Sequence, residues 1–285
     1  MALRIERLGP TLGARVQGID VADIDDATFE DIHAAWLEHQ VLVFADQHLT
    51  PDSQIAFSRR LGDLEVHIST DHLLDGYPEI VMISNKMVDG RYIGGVSAGE
   101  YWHSDLSRKA EPTRASLLYA LEIPSYGGDT EWADMYAAYE ALPDATREKI
   151  AGLRGIHSWN RMRNPRVEVP EMHKADAEMR YGDRAPDDVH HPMVRTHPET
   201  GRKALYVSQR FTLGVDGLEY DEGQALLDEL FAHQTRREFI FRHQWTLGDL
   251  VLWDNRCTIH WACRGFDPAE IRHMHRTSVA GDVPF

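Results

Sequence analysis

Apolar residues recur at helical spacing near the start of the chain. Between residues 27 and 40, four large apolar side chains fall on one face of a helix: Phe29, Ile32, Trp36 and Leu37. This spacing predicts an amphipathic helix. The continuous apolar run at 41–44 follows directly and predicts a buried strand.

Helix-capping residues mark a second helix over residues 51–61. Thr50 is a good N-cap residue, Pro51 suits the first helical position, and Asp52 puts a negative charge in the first turn. Gly62 is a typical C-terminal stop. These signals bound the predicted helix at both ends.

The rest of the chain alternates short apolar runs, turn residues and amphipathic stretches. We predict a strand over residues 115–121 and a hairpin in which the runs 239–241 and 250–253 flank the turn 247–249. Helices are predicted near 135–142, 144–153 and 219–233. The pattern is typical of a mostly β fold with peripheral helices.

The stretch 159–197 differs from the rest, because it is rich in Arg, Pro, His and Asp and has weak periodicity. Irregular segments of this length are mostly kept for functional lids or insertions, so we expect a lid-like excursion over a site. The chain shows no repeat and no clean linker. We therefore expect one domain over residues 1–285.

Charge and cysteine content narrow the function classes. The formal net charge is −16, which argues against binding to nucleic acid or to an anionic membrane surface. No apolar run is long enough for a signal peptide or a membrane span. The two cysteines, Cys257 and Cys263, fit reduced thiols, so we expect a cytoplasmic protein with a small substrate. A homo-oligomer is compatible with the sequence.

The first candidate for chemistry is a His-x-Asp pair, His103 and Asp105. On an extended strand this spacing puts both side chains on the same face, where one ion could bind both. Taken alone, the pair also fits a solvated strand or turn. His260 is the candidate third ligand, because it follows the buried run 250–253. Two histidines and one carboxylate leave three coordination positions open, as non-haem iron oxygenases require.

At these residues the chain resembles the taurine dioxygenase and 2,4-dichlorophenoxyacetate dioxygenase family of iron(II)- and 2-oxoglutarate-dependent enzymes. The resemblance covers nearly the whole chain. It rests on matching motifs that occur in the family's order: Trp102-His103-Ser104-Asp105, Gly127-Gly128-Asp129-Thr130, Ala138-Tyr139-Glu140-Ala141-Leu142, His197-Pro198, Gly201-Arg202, Trp253-Asp254-Asn255-Arg256, His260 and Arg272-His273-Met274-His275-Arg276. It implies a double-stranded β-helix, or jelly roll, that uses Fe(II), 2-oxoglutarate and O₂.

The resemblance also implies roles for individual residues. Arg272 would grip the distal carboxylate of 2-oxoglutarate, and Thr130 would donate a hydroxyl to the same co-substrate. A guanidinium suits this task because it can bind a carboxylate with two hydrogen bonds. Arg276 would bind the anionic group of the primary substrate.

Further substrate contacts follow from the same resemblance. His67 matches a histidine that meets the sulfonate in taurine dioxygenases, and no lysine of the type found in herbicide-cleaving relatives is nearby. Trp159 and Phe211 match aromatic wall positions, although large aromatics are more often core residues. The expected substrate is a sulfonate, an aryloxyalkanoate or an alkyl sulfate, with hydroxylation or C–S or C–O cleavage as the outcome.

Two other functions remain open at this stage. A His₂Asp site could also hold Zn²⁺ and activate water in a hydrolase. Alternatively, the same fold could bind 2-oxoglutarate as a non-catalytic sensor. The sequence offers no evident general base for a hydrolase.

Overall fold

The computed structural model describes residues 3–66, 72–96, 99–160, 164–167 and 186–285. The helices in these residues are α1 (Asp26–His39), α2 (Pro51–Arg59), α3 (Met135–Glu140), α4 (Asp144–Ile150) and α5 (Tyr220–Gln234), with a 3₁₀ turn at Arg237–Phe239. The strands are β1 (Arg4–Arg7), β2 (Ala14–Gln17), β3 (Val41–Phe44), β4 (Leu73–Leu74), β5 (Tyr77–Ser84), β6 (Met87–Val88), β7 (Arg91–Tyr92), β8 (Ala115–Glu122), β9 (Thr130–Asp134), β10 (Arg154–His157), β11 (Val189–Pro192), β12 (Val194–Thr196), β13 (Lys203–Leu205), β14 (Thr212–Val215), β15 (Ile240–His243), β16 (Leu250–Asp254), β17 (Thr258–Ala262) and β18 (His273–Val279).

An eight-stranded sheet in the order β1-β2-β3-β16-β8-β18-β5-β4 forms the larger wall of the fold. A three-stranded sheet, β15-β9-β17, forms the opposite wall. Between them lies an apolar core that includes Trp132 from the small sheet and Leu118, Trp253 and Met274 from the large sheet. Two facing sheets around one core constitute the expected jelly roll.

Successive side chains of a strand point to opposite faces of the sheet, so every second residue faces this interior. On β18, Met274 lies in the core, so Arg276, two positions further on, shares its inner face, while Arg272, immediately before β18, is buried. On β9, Thr130 shares the face of the core residue Trp132, and His260 of β17 pairs directly with Trp132. The fold thus collects the candidate residues of three strands in one interior.

The helices cover the outer faces of the sheets. Phe29 and Trp36 of α1 and Phe57 of α2 pack with Leu117 and Leu252 of the large sheet. On the other side, α3 and α5 pack against residues that include Ile259 of the small sheet. None of the helices in the described part of the chain combines the length and apolar character that a membrane crossing needs.

The predicted helices and the strands at 41–44 and 115–121 are confirmed within a few residues. The predicted hairpin is wrong. β15 pairs with β9 in the small sheet, whereas β16 lies between β3 and β8 in the large sheet. Phe241 and Trp253 meet in the core from opposite walls, and alternation of apolar residues does not distinguish such face-to-face packing from edge-to-edge pairing.

The segment predicted as a lid-like excursion, 159–197, is described only in part, since residues 161–163 and 168–185 lie outside the described residues. Its end is not irregular. β11 pairs with β10, and β12 pairs with β13. The last quarter of the segment is therefore built into small antiparallel sheets.

Candidate metal centre and co-substrate site

A backbone bridge brings His103 next to His260. The two residues form an isolated antiparallel β-bridge, in which each N–H donates to the other's carbonyl, at 3.0 and 2.8 Å. Their imidazole rings lie side by side, with centroids 4.2 Å apart. The bridge thus connects the His-x-Asp segment to the edge strand of the small sheet.

Asp105 completes a cluster of three buried side chains. One potential ligand atom from each of His103, Asp105 and His260 lies within 4.8 Å of the others. The carboxylate oxygen Oδ1 of Asp105 is 3.8 Å from Nε2 of His103, and Oδ2 is 4.0 Å from Nε2 of His260. The three residues that the sequence singled out therefore converge on one point.

Hydrogen bonding fixes which nitrogen of His103 faces this point. Its Nδ1 lies 2.8 Å from the carbonyl oxygen of Tyr101. Because a carbonyl can only accept, Nδ1 carries the proton, and Nε2 keeps its lone pair toward Asp105. This is the tautomer that a metal ligand needs.

Burial keeps both imidazoles neutral. Burial, with added repulsion from His260 and Arg210, holds the pKa of His103 well below its ordinary value. Burial also lowers the pKa of His260 to about 4, although the nearby Asp105 acts in the opposite direction. Two neutral nitrogen donors are therefore present at neutral pH.

Asp105 remains ionised in spite of its burial. Burial alone would raise the pKa of this carboxyl, but the guanidinium of Arg276 and the hydrogen bond from Ser116 hold its pKa well below the usual range. Nη1 of Arg276 donates to Oδ1 at 3.1 Å, and Oγ of Ser116 donates to Oδ2 at 2.7 Å. The site thus offers one anionic oxygen donor beside two neutral nitrogens.

Asn255 orients the segment that carries Asp105. Its side-chain oxygen accepts from the backbone N–H of Asp105 at 3.1 Å, and its side-chain nitrogen donates to Oγ of Ser116 at 2.9 Å. Its backbone carbonyl accepts from Oγ of Ser104 at 2.7 Å. The turn that follows β16 therefore positions the segment of Asp105 directly and its carboxylate through Ser116.

The backbone on either side of the His-x-Asp pair is strained. Tyr101 has a φ of 62° and Leu106 a φ of 51°, a left-handed conformation that costs non-glycine residues about 1 kcal/mol. Such strain is concentrated at functional sites, where the surroundings hold it in place.

A second group of residues surrounds Arg272, which is buried. Its Nε donates to the carbonyl of Gly128 at 2.9 Å, while its Nη2 is buried without a hydrogen-bond partner among the described residues. Burial lowers the pKa of Arg272 to about 10, so the guanidinium is still charged at neutral pH. A buried cation with an unused donor fits an anionic ligand.

Trp245 connects Arg272 with Thr130. Its ring lies 5.9 Å from the guanidinium carbon of Arg272, and its indole N–H donates to Oγ1 of Thr130 at 3.0 Å. Since the hydroxyl oxygen already accepts this bond, the hydroxyl hydrogen can be donated elsewhere. Arg272 and Thr130 thus each keep a donor for a ligand, and their co-substrate roles stay predictions.

Two of the candidate substrate residues, Trp159 and Phe211, lie together around Arg108, and Phe211 also borders His103. The ring of Phe211 meets His103 edge-on, with centroids 5.7 Å apart. The guanidinium carbon of Arg108 lies 4.6 Å from the ring centroid of Phe211 and 4.0 Å from that of Trp159. Both predicted wall aromatics therefore contact a cation. His67 lies outside the described residues.

A second group with metal-ligand side chains, His197, Asp254 and Cys257, lies elsewhere in the core. Nδ1 of His197 accepts from the N–H groups of Glu199 and Thr200, at 3.2 and 3.1 Å, and its Nε2 lies 3.0 Å from Asp254. His197 therefore donates from Nε2 and has no lone pair left for a metal. Arg256 occupies both oxygens of Asp254, so this group is a structural network.

Four residues of the site have no role predicted from the sequence: Ser116, Asn255, Trp245 and Arg108. For two of them the signal in the sequence is position alone, because Asn255 lies in the Trp253-Asp254-Asn255-Arg256 motif and Arg108 comes three residues after Asp105. Ser116 and Trp245 read as ordinary strand and core residues, and only the folded chain brings them to the site.

Comparison with known proteins agrees with this geometry. The family model described as "Taurine catabolism dioxygenase TauD, TfdA family" matches residues 4–278. The chain is 37% identical over 294 residues to the alpha-ketoglutarate-dependent 2,4-dichlorophenoxyacetate dioxygenase of Cupriavidus pinatubonensis, with 99% of each protein covered. It is 36% identical over 302 residues to the (S)-phenoxypropionate/alpha-ketoglutarate-dioxygenase of Sphingobium herbicidovorans, with 99% of this chain and 96% of the relative covered.

A solved structure shows the same architecture. The crystal structure of AAD-2 in complex with Mn(II) and N-oxalylglycine superposes with a TM-score of 0.80 at 32% identity. The match covers 100% of this chain and 99% of the other.

Proposed function

The chain belongs to the TauD, TfdA family of 2-oxoglutarate-dependent dioxygenases, and we propose that this enzyme binds Fe(II) through His103, Asp105 and His260 and oxidises a small organic anion. The observation that carries the assignment is the convergence of two neutral imidazoles and one carboxylate in a buried site. This donor set leaves three positions for the co-substrate and O₂.

When bound, Fe(II) and 2-oxoglutarate supply the oxidising chemistry, in which O₂ oxidises a C–H bond and 2-oxoglutarate becomes succinate and CO₂. The protein binds and orients the co-substrate and the primary substrate. Arg272 would hold the distal carboxylate of 2-oxoglutarate with its Nη2, which has no partner in the described part of the chain, and Thr130 would donate its hydroxyl to the same molecule. The buried setting strengthens both interactions.

Arg276 would hold the anionic group of the primary substrate. It lies on the inner face of β18 and beside Asp105, so an anion bound to it would place the attached carbon chain near the metal. The net charge of −16 gives no long-range attraction for an anion, and local arginines must supply it. Trp159, Phe211 and His67 are proposed as further substrate contacts.

We propose aryloxyalkanoates as the first substrates to test, because two relatives at 36–37% identity are named for 2,4-dichlorophenoxyacetate and phenoxypropionate. Sulfonates and alkyl sulfates form the second group. Oxidation next to the ether or ester oxygen would give an unstable hemiacetal-type product, so the C–O bond would then break. We also propose a cytoplasmic enzyme, consistent with two buried free cysteines.

The test is a screen for substrate-dependent succinate release and O₂ uptake with Fe(II) and 2-oxoglutarate. The panel contains 2,4-dichlorophenoxyacetate, phenoxypropionate, taurine and hexyl sulfate. Stimulation by at least one anion is expected. Anaerobic addition of Fe(II) and 2-oxoglutarate should also give a weak visible charge-transfer band, which a zinc hydrolase would lack. A band without turnover of any anion would favour the sensor function.

A further inference from the structure

Arg276 contacts the same carboxylate that we assign to the metal. Its Nη1 donates to Oδ1 of Asp105 at 3.1 Å, and the side chains of both residues are almost fully buried, at 13% and 6% exposure. The other oxygen, Oδ2, already accepts from Ser116. Oδ1 also lies 3.8 Å from Nε2 of His103. Arg276 and a metal ion would therefore bind the same side of the Asp105 carboxylate.

The guanidinium of Arg276 has a second donor available. Its Nε is buried and has no hydrogen-bond partner within the described ranges of the chain. A guanidinium can donate along more than one edge, and a carboxylate, sulfonate or sulfate group fits such an edge. Arg276 can therefore hold Asp105 with one edge and an anion with the other.

Two cations cannot share one buried carboxylate without repelling each other. A metal ion held by Asp105 would lie within a few ångströms of the Arg276 guanidinium, where the low dielectric of the interior strengthens Coulomb interactions. An anion bound to Arg276 would neutralise its charge. The repulsion between Arg276 and the metal ion would then be offset, because positive and negative charges would alternate from the metal ion to the bound anion.

We propose that Arg276 couples substrate binding to metal binding, weakening the metal site while no anion is bound and restoring it when the anionic substrate arrives. This inference rests on the proposed function, because it takes the triad as the metal site and Arg276 as the anion site. Coupling of this kind is reciprocal, so the metal must tighten anion binding by the same factor as the anion tightens metal binding.

The test measures Mn(II) affinity by electron paramagnetic resonance, with and without 2,4-dichlorophenoxyacetate, taurine or hexyl sulfate. In the wild type, at least one of these anions should tighten Mn(II) binding about 5- to 150-fold, the usual range of coupling between sites. Without any anion, R276Q should bind Mn(II) at least about fivefold more tightly than the wild type. Its affinity should no longer respond to the anions. R276K keeps the charge and should keep a response.

R242Q is the matched control for loss of a positive charge, because Arg242 is bonded to Asp129 and does not contact the triad. The Mn(II) affinity of R242Q, and its response to the anions, should match those of the wild type. Circular dichroism establishes that each variant is folded. Unchanged or weaker Mn(II) binding in R276Q, or a wild-type affinity that no anion shifts, would overturn the coupling. D105N separates the two claims, since loss of Mn(II) binding in D105N would leave the metal assignment intact even if the coupling fails.

Discussion

His103 and His260 exchange both of their backbone hydrogen bonds, at 3.0 and 2.8 Å. Opposite residues in such an antiparallel pair project to the same face, and here their rings lie 4.2 Å apart. The spacing of the two nitrogen donors is therefore set by backbone pairing as well as by side-chain packing. Removing one ligand side chain should leave the other in place.

We expect His103→Ala and Asp105→Ala to abolish Mn(II) binding and substrate-dependent succinate formation while the fold is retained. The physical reason is that two ligands hold an ion too weakly in a site built for three. Equilibrium dialysis, succinate assay and circular dichroism provide the measurements. His190→Gln, which removes an exposed histidine, is the control. Full activity in either alanine variant would show that the ligand assignment is wrong.

Ser116→Ala is expected to weaken Mn(II) binding about 10- to 100-fold, the usual effect of removing a group that orients a metal ligand. The variant loses the 2.7 Å hydrogen bond to Oδ2 of Asp105 and disconnects Asn255 from the carboxylate. The matched control is Ser58→Ala, which removes an equally buried hydroxyl bonded to Thr277 at 2.7 Å. If both variants bind Mn(II) equally well, Ser116 does not orient the ligand.

The ligand residues could be predicted from the sequence because each carries a local signal. Two-residue spacing on a strand places His103 and Asp105 on one face, and His260 follows a recognisable buried strand. The supporting residues carry no such signal, since Asn255 reaches the N–H of Asp105 across 150 positions of sequence. The hairpin prediction failed for the same reason, because apolar alternation gives the buried face of a strand and leaves its neighbour undetermined.

Arg272→Gln should raise the KM for 2-oxoglutarate about 10- to 150-fold, which corresponds to the loss of one charged hydrogen bond. The KM for the primary substrate should change little. Arg276→Gln, at the inward-facing arginine of β18, should show the opposite pattern. Steady-state kinetics with each substrate varied in turn will measure both values. A reversed pattern would mean that the two arginines exchange roles.

We predict that Arg108 makes the enzyme favour substrates with a second negative charge. Its guanidinium lies against Trp159 and Phe211, so it brings a positive charge into a wall that would otherwise be aromatic. We expect Arg108→Leu to lower kcat/KM for 4-carboxyphenoxyacetate at least tenfold relative to phenoxyacetate. Arg166→Leu, which removes a guanidinium stacked on Phe231 away from the site, is the control. An unchanged preference ratio would contradict a role in specificity.

Acid should destabilise the protein through the buried histidine His191. Burial lowers the pKa of His191 to about 4, and its Nε2 is bonded to the carbonyl of Lys109 at 2.9 Å. Because the pKa in the unfolded chain is near 6.5, the folded state favours the neutral ring. The resulting stabilisation is complete above about pH 6.5 and is lost as the pH falls toward 4.

One such histidine changes the free energy of unfolding by at most about 1.4 kcal/mol per pH unit within this window. His191→Gln should therefore flatten the pH dependence of stability between pH 6 and 4.5 by up to that slope. Urea unfolding at several pH values measures the effect. His190→Gln, at the neighbouring exposed position, should keep the wild-type slope. If the free energy of unfolding falls with pH equally steeply in His191→Gln and the wild type, then the fold does not hold His191 neutral.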